Sequence, residues 1–314
     1  MNFYEERNPP NISLSKVLNL IQPFFPELKA EEIKFLYHGS YNVYEIKDEF
    51  IFRFPDKVFF DKKGYDLIQR EQKILMLIQE DISIQIPKPL YMSSDPTHPF
   101  IGYKKINGTS LSRCFHKTTL DDHKHITKQL GKFLSELHSQ KVFQKVCMAF
   151  KTEQDFNSSQ YQHNWRNYFE KVKKKVYPLL KSKQKQWVSQ IFSNFLENER
   201  NFDFISCVVH RDFDVTNILV DPKTFYVCGI IDFEDTGVYD PAADFIFYNE
   251  GDLFLDHLLA NYSRSKDLYF RERMKFLYCR SGLEYILTGL EYNVPKMVEY
   301  GLQMTKKRMK RFPS

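Results

Sequence analysis

The sequence predicts an α+β fold in two parts: a small, mainly antiparallel β part with one key helix, and a larger, mostly helical part after it. Short apolar runs that alternate with polar residues fill the first hundred positions, whereas a helical period dominates later. Asn107-Gly108 is a turn signal between the two regions. We therefore expect one domain over residues 1–107, with its hinge at 103–107, and a second over residues 108–314.

Four segments of the first part are predicted as strands: Ile33–His38, Tyr41–Ile46, Glu49–Phe54 and Pro99–Ile106. In the third strand, Phe residues alternate with Ile51 and Arg53, so the rings share one face and Arg53 lies on the other. A helix is predicted at about Gly64–Glu80, with apolar residues on one face at Leu67, Ile74, Leu75 and Ile78. Glu71 falls on that same face, where a carboxylate is costly unless it is paired.

The second part contains mostly helical patterns. Thr119-x-x-Asp122 resembles a capping box, and it precedes a helix whose apolar face includes Ile126, Leu130 and Leu137. Further helices are predicted at about 160–177, 184–199, 253–263, 267–292 and 295–310. Two strand-like runs interrupt them, at Phe204–Val209 and Phe225–Ile231.

Composition excludes several classes of protein. With 42% hydrophobic and 27% charged residues in 314, the chain is neither disordered nor collagen-like. No apolar run approaches the roughly 18 residues of a membrane span, and the N-terminus lacks the pattern of a signal peptide. The five cysteines show no paired spacing, which favours reduced thiols. These features predict a cytoplasmic protein without a membrane partner.

The formal charge of +5 conceals an uneven distribution. Residues 108–200 and 264–314 are basic, with net charges of +9 and +7, whereas residues 201–263 contain two bases and twelve acids, a net charge of −10. The acidic window also holds the most apolar strand-like runs, so it is not a disordered tail. Acidic groups beside a packed core indicate a site for metal ions or other cations.

One spacing in this window carries chemistry. An apolar strand leads into His210-x-Asp212, Asn217 follows after four residues, and a later apolar strand ends at Asp232. The two strands after Asp212 resemble a buried hairpin, which would bring Asp212, Asn217 and Asp232 to one rim. Phosphoryl transfer needs such a set: one carboxylate orients the attacking hydroxyl and accepts its proton, while the amide and the other carboxylate hold Mg²⁺.

This pattern resembles the eukaryotic-like kinase superfamily and, within it, the aminoglycoside phosphotransferases. No Ala-Pro-Glu triplet of protein kinases is present. The similarity to aminoglycoside phosphotransferases rests on Asp232-Phe233-Glu234-Asp235 followed by Asp240-Pro241-Ala242-Ala243-Asp244-Phe245. Further similarity, to aminoglycoside 2''-phosphotransferases in particular, lies in Ile101–Gly108, in Asp244-Phe245-Ile246 with Glu250, and in Leu283-Glu284-Tyr285-Ile286. The resemblance implies a two-lobed protein-kinase-like fold and a kinase that phosphorylates a cationic amino sugar.

By the same resemblance, Arg53 and Glu71 are an ion pair, in which the strand base contacts the nucleotide phosphates and the helix carboxylate orients it. The family position is more often Lys, and Arg is not interchangeable with Lys. The phosphate-covering loop is His38–Asn42, where the backbone amide of Ser40 would cap phosphate. This loop has a single glycine, in a chain with only 11.

The resemblance also implies a nucleotide hinge. The carbonyl of Lys104 and the amide of Ile106 would bond the purine edge, and Tyr103 would be the gatekeeper, favouring GTP over ATP. An alternative is that Tyr103 is only a core aromatic. Leu219 and Ile231 would form the apolar floor beneath the base.

The implied mechanism is direct in-line transfer of the γ-phosphoryl group, with Asp212 as base and Asn217 and Asp232 as Mg²⁺ ligands. His210 and Asp244 are expected to be structural. Cationic substrate groups would meet outer carboxylates. Glu250, Asp235 and Asp252 would take ammonium groups, Glu284 matches a substrate position of the family, and Glu291 is added only because it lies seven residues after Glu284 on nearly the same helix face. The expected cofactors are GTP or ATP and Mg²⁺, and the expected state is a monomer.

Several alternatives stay open at this stage. The catalytic pattern also fits kinases of macrolides, choline, homoserine or a sugar adduct on the same fold. A catalytically inactive nucleotide-binding regulator is a second alternative, because Arg53 departs from the family pattern. A basic nucleic-acid-binding protein is a third, although the sequence contains no recognition motif and we expect no nucleic-acid partner.

Overall fold

The computed structural model describes residues 9–56, 63–151 and 156–313, which form two compact units. The first unit contains the chain up to Leu111 together with Asn217–Asp235. The second contains Ser112–Thr216 and the chain from Thr236 onward. The domain division expected from the sequence stays a prediction, and these units differ from it in the placement of Asn217–Asp235.

The first unit is built on a five-stranded antiparallel sheet with the order β1-β2-β3-β5-β4. The strands are β1 (Ile33–His38), β2 (Tyr41–Ile46), β3 (Phe50–Pro55), β4 (Pro89–Met92) and β5 (Ile101–Lys104). The sequence predicted all of them except β4. That strand begins with a proline and lies at the edge of the sheet, where a missing N–H donor is tolerated.

Alternation along β3 separates two cores. Phe52 and Phe54 are buried in one cluster, against which Phe50 also packs. Ile51 packs against the cluster on the opposite face. The pleat of the strand therefore places Arg53 away from the Phe face, as the sequence predicted.

Two helices pack in this unit. Helix α1 (Leu14–Ile21), which the sequence analysis did not predict, is capped by the Ser13 hydroxyl and buries Val17 and Ile21. Helix α2 (Gly64–Ile78) agrees with the prediction, and its buried face includes Glu71. Among the described residues, this region therefore contains α1 in addition to the predicted helix, and α2 is the helix that carries a buried carboxylate.

A small three-stranded sheet completes the first unit, with the order β6-β8-β9. Its strands are β6 (Thr109–Ser110), β8 (Ile218–Val220) and β9 (Val227–Ile230), and β8 and β9 form the antiparallel hairpin that the sequence predicted. Gly108 lies against this hairpin with φ of +157°, and a Cβ atom there would be 3.2 Å from the Cβ of Leu219.

The second unit is mostly helical, with the short antiparallel pair β7 (Cys207–Val209) and β10 (Gly237–Tyr239). Its helices are α3 (Leu111–Cys114, beginning at the last residue of the first unit), α4 (Leu120–Leu137), α5 (Gln140–Ala149), α6 (Ser158–Lys175), α7 (Ser182–Leu196), α8 (Asp252–Ala260), α9 (Phe270–Glu291) and α10 (Pro295–Arg311). The capping box of α4 is present: Asp122 N–H donates to the Thr119 hydroxyl, and the Asp122 carboxylate accepts from Thr119 N–H.

Glycines allow α9 and α10 to pack closely against each other. A Cβ atom on Gly282 in α9 would lie 2.6 Å from the Thr305 hydroxyl in α10, and one on Gly301 would lie 2.6 Å from the carbonyl oxygen of Gly282. Across the described residues, no helix combines the length and apolarity that crossing a membrane requires.

Candidate active site

An ion cluster in the first unit is centred on the buried Arg53. Nη1 of Arg53 donates to Glu71 Oε1 at 2.7 Å. Nη2 donates to Asp232 Oδ1 at 2.5 Å and to Glu234 Oε2 at 3.3 Å. The guanidinium carbon also lies 4.2 Å from the centre of the Tyr41 ring. The ion pair between Arg53 and Glu71 that the resemblance implied is therefore present.

Burial shapes the electrostatics of this cluster. Burial raises the pKa of Glu71, which is fully buried, and the charge of Arg53 opposes the rise. Burial acts against the charged form of Arg53, but the carboxylates of Asp232 and Glu71 outweigh it and hold the pKa of Arg53 well above its usual value. Burial and then the charge of Asp232 raise the pKa of Glu234. Three carboxylates thus surround one guanidinium, an arrangement that would accept further positive charge.

The open end of the β8–β9 hairpin holds the two predicted metal ligands. The amide of Ile231 donates to the carbonyl of Asn217 at 3.0 Å, which places Asn217 beside the residue that precedes Asp232. Asp232 has φ of +72°, a left-handed conformation that Asp tolerates better than bulkier residues do. The side chain of Asp232 is 26% exposed.

The chemistry of these donors fits Mg²⁺, which prefers oxygen ligands and usually takes one or two carboxylates with phosphate and water. Within the described residues, no group of three or more His, Cys, Asp or Glu side chains forms a complete metal site. Asn217 and Asp232 are the residues that would hold a metal ion here.

The predicted phosphate loop is the turn between β1 and β2. Gly39 N–H donates to the carbonyl of Tyr41 at 3.0 Å, and Asp56 N–H donates to the carbonyl of Ser40 at 2.8 Å. His38 Nε2 also contacts Asp56 Oδ2 at 2.5 Å. The turn around Ser40 is thus tied to β2 through the amide of Gly39 and to the residue after β3 through the carbonyl of Ser40.

The predicted hinge, residues 103–107, begins in the last two residues of β5 and continues beyond the strand. Tyr103 is buried. Burial raises the pKa of its hydroxyl, and the nearby charge of Arg53 offsets only part of that rise. The ammonium of Lys104 lies 3.7 Å from the Glu49 carboxylate. The amide of Ile106 has no hydrogen-bond acceptor among the described residues. The side chain of Ile106 packs against Gly229, where a Cβ atom would lie 2.7 Å from it.

The two apolar residues predicted to form the floor of the base pocket lie in the β8–β9 hairpin region. Leu219 is in β8, and Ile231 directly follows β9. Both are partly exposed, whereas their neighbours Ile218 and Ile230 are fully buried. Partial exposure of an apolar side chain is what contact with a base would require.

In the second unit, a buried carboxylate fixes the backbone that carries Asp212. Asp244 accepts from His210 N–H at 2.7 Å through Oδ2 and from Arg211 N–H at 2.8 Å through Oδ1. His138 Nε2 contacts the same Oδ2 at 3.0 Å. Arg211 has φ of +71°, so these bonds hold a strained turn directly before Asp212. The structural role expected for Asp244 agrees with this geometry, whereas no local sequence pattern indicated His138.

The carboxylates predicted to contact the acceptor substrate differ in their surroundings. Asp212 is exposed, as is Asp235, which belongs to the first unit. Glu284 is half exposed and bonded to Arg280 at 2.7 Å. Glu250 is largely enclosed, and burial raises its pKa to about 7.

Asp252 and Glu291, which were also expected to bind substrate ammonium groups, are paired with bases of the second unit. Asp252 Oδ1 accepts from Arg311 Nη2 at 2.5 Å. Glu291 Oε2 accepts from Lys171 at 3.0 Å. Because their charges already have partners, these two carboxylates are weaker candidates for binding substrate ammonium groups than Glu250.

Two further polar residues that the sequence did not indicate make buried or partly buried ion pairs. Arg273 is buried and binds Asp240 at 2.8 Å and Asp267 through both terminal nitrogens at 2.7 Å. Glu234 was noted only as part of a motif, although it reaches Arg53. Its position two residues after Asp232 was the available signal.

Comparison with known families gives one match to a sequence profile. The profile of the family described as "Phosphotransferase enzyme family" matches residues 32–276. That range covers most of the chain and includes every residue of the predicted site except Glu284 and Glu291.

Solved structures share the fold across nearly the whole chain. The GDP complex of wild-type aminoglycoside 2'-phosphotransferase-IIIa has a TM-score of 0.83 at 19% identity, covering 96% of this chain and 100% of that one. The GDP and kanamycin complex of APH(2'')-IIIa has a TM-score of 0.81 at 19% identity, covering 94% and 98%. The streptomycin–ATP ternary complex of APH(2'')-IIa has a TM-score of 0.66 at 20% identity, covering 95% and 99%. The kinase-like fold predicted from the sequence is thereby confirmed.

Proposed function

The chain belongs to the phosphotransferase enzyme family, and from that premise we propose that it transfers the γ-phosphoryl group of a nucleoside triphosphate to a hydroxyl of a cationic amino sugar. One observation carries the proposal: Arg53, Glu71 and Asp232 come from three separate segments and meet in one buried ion cluster. This cluster lies at the end of the hairpin that also presents Asn217. A merely structural ion pair would not need two metal-type donors beside it.

The first unit supplies the groups for the nucleotide. Arg53, oriented by Glu71, neutralises charge on the phosphates. The Ser40 turn covers them, and the hinge residues Lys104 and Ile106 bond the base. Asn217 and Asp232 would hold Mg²⁺, which supplies further neutralisation of phosphate charge when it is bound.

The second unit supplies the base. Asp212 orients the acceptor hydroxyl and takes its proton as the oxygen attacks phosphorus and the bond to the leaving diphosphate breaks. Because Asp244 fixes the amides of His210 and Arg211, the backbone before Asp212 is preorganised rather than mobile. No covalent enzyme intermediate is required.

The acceptor class follows from charge. Glu250, Asp235 and Glu284 would attract ammonium groups, and the buried Glu250 gains most from such a partner because burial disfavours its ionised form. Structures of the same fold are described as complexes with kanamycin and streptomycin. These descriptions support an amino sugar as the acceptor of this chain.

GTP is proposed as the preferred nucleotide because of Tyr103. Its buried ring at the end of β5 would narrow the pocket before the hinge. The neighbouring structures include complexes with GDP and with ATP, so the fold accommodates both purines. A higher kcat/KM for ATP, unaffected by Tyr103→Ala, would refute this preference.

A phosphorylation assay tests the proposal. The purified protein is mixed with Mg²⁺, γ-labelled GTP or ATP, and a panel of aminoglycosides, macrolides, choline and homoserine. We expect labelled product only with the amino sugars. Asp212→Asn should lower kcat by at least about 100-fold, whereas the exposed Asp203→Asn should leave it unchanged. Product from choline or macrolides alone would identify a different kinase, and no product from any acceptor would favour an inactive regulator.

A further inference from the structure

The Arg53 guanidinium has a fixed partner on each of its sides. Glu71 holds Nη1, whereas Asp232 and Glu234 share Nη2 at 2.5 and 3.3 Å. We propose that Glu234 is a positioning residue that keeps Nη2 of Arg53 in place when Asp232 is engaged by a metal ion. This inference rests on the proposed function, because it assumes that Arg53 serves nucleotide phosphates and that Asp232 is a metal ligand.

The first step is the shape of arginine. A guanidinium presents its donors in a rigid planar fork, so its two terminal nitrogens require acceptors in two directions. A lysine ammonium is a single point charge and needs no second fixed acceptor. In this chain the second direction is supplied from the segment that follows β9, by Asp232 and Glu234.

The second step is the competition for Asp232. Its nearer oxygen, Oδ1, is the one bonded to Nη2. A carboxylate that binds a divalent cation is a poorer acceptor for a guanidinium, and the cation repels the guanidinium. Nη2 would then lose its shorter bond, and Glu234 is the remaining carboxylate within reach.

The third step is that Glu234 is built into this place. Its side chain is only 18% exposed, and its backbone carbonyl accepts from Arg70 Nη1 at 3.4 Å. Arg70 and Glu71 are neighbours in α2. The helix that orients one side of the guanidinium thus also holds the backbone of the residue on the other side. A side-chain substitution at Glu234 leaves that backbone bond available.

The test is calorimetric titration with GDP and with ADP, in Mg²⁺ and in EDTA. The proteins compared are wild type, Glu234→Gln, Arg53→Lys, the double variant, and the exposed Glu80→Gln as the matched control. With Mg²⁺, Glu234→Gln should weaken binding of the preferred nucleotide about tenfold, the lower range for one hydrogen bond between charged groups. In EDTA, where Asp232 still holds Nη2, the loss should be under about threefold.

In the Arg53→Lys background, Glu234→Gln should change nucleotide affinity less than about threefold, because an ammonium has no second terminal nitrogen to be positioned. In steady-state assays the nucleotide KM should rise more than kcat falls, and Glu234→Asp should restore part of the affinity. Equal effects with and without Mg²⁺ would overturn the inference, as would a lowered melting temperature with unchanged affinity. If the wild-type protein binds no nucleotide, the proposed function itself fails, which is a distinguishable result.

Discussion

Asp244→Asn is the most informative single change in the second unit. The aspartate is fully buried, and its two oxygens accept from the amides of His210 and Arg211 at 2.7 and 2.8 Å. Asparagine has the same shape but only one acceptor oxygen, so its NH₂ group would face one of these amides. The left-handed turn at Arg211 would lose part of what holds it.

The magnitude follows from these bonds. One hydrogen bond to a charged acceptor is lost, at about 1.5–3 kcal/mol, and the other becomes a weaker neutral bond. We expect the free energy of unfolding to fall by about 2–4 kcal/mol. A displacement of Asp212 by about 1 Å lowers kcat by roughly 100-fold. The nucleotide KM should change less than about twofold, because Arg53 and Glu71 belong to the other unit.

The assay combines urea unfolding with steady-state kinetics. Asp256→Asn is the matched control, since its ion pair with Arg271 is exposed and should contribute at most about 0.5 kcal/mol. If Asp244→Asn lost stability while kcat stayed at the wild-type value, the buried bonds would not position Asp212. An equal loss in nucleotide affinity would instead indicate general misfolding.

Three further changes have defined outcomes. Gly102→Ala would place a Cβ atom 2.6 Å from the Phe52 ring, so a thermal melt should show about 1–3 kcal/mol of destabilisation, and an unchanged melting temperature would contradict the packing. Because burial raises the pKa of Glu250 to about 7, its carboxylate is neutral below that pH. Affinity for the acceptor substrate should therefore rise as pH increases through 7 in the wild type relative to Glu250→Gln, measured as the ratio of their acceptor KM values. Parallel pH profiles of the two proteins would exclude Glu250 from binding the acceptor. Thr119→Ala removes the cap of α4 and should lower the free energy of unfolding in urea by about 1 kcal/mol. An unchanged free energy of unfolding would contradict this prediction.

Local patterns were sufficient for much of this fold. The alternation around Arg53 predicted which face of β3 carries the guanidinium, and the helical period placed Glu71 on a buried face that demanded a partner. The apolar strands around Asn217 and Asp232 predicted their hairpin. In each case the decisive contacts lie within one element or between strands adjacent in sequence.

Long-range partners were beyond reach of the sequence. Glu234 meets Arg53 across 181 positions, and His138 meets Asp244 across 106. Nothing in the local pattern of either pair specifies the other member, because the pairing depends on how elements pack. Helix α1 was missed for a different reason: eight residues before a strand carry too few apolar repeats to distinguish a helix from a loop.

The acidic window illustrates why net charge alone is weak evidence for a cationic substrate. At least eight of its twelve acids bind partners inside the protein, among them Asp214, Asp221, Asp232, Glu234, Asp240, Asp244, Asp252 and Asp256. Much of the −10 charge therefore stabilises turns, helix ends and buried bases. Glu250 differs, because it is enclosed, accepts no hydrogen bond from another side chain among the described residues, and has a pKa that burial raises to about 7. An ammonium group beside it would reverse part of that rise, so this one carboxylate, rather than the summed charge, favours a cationic acceptor.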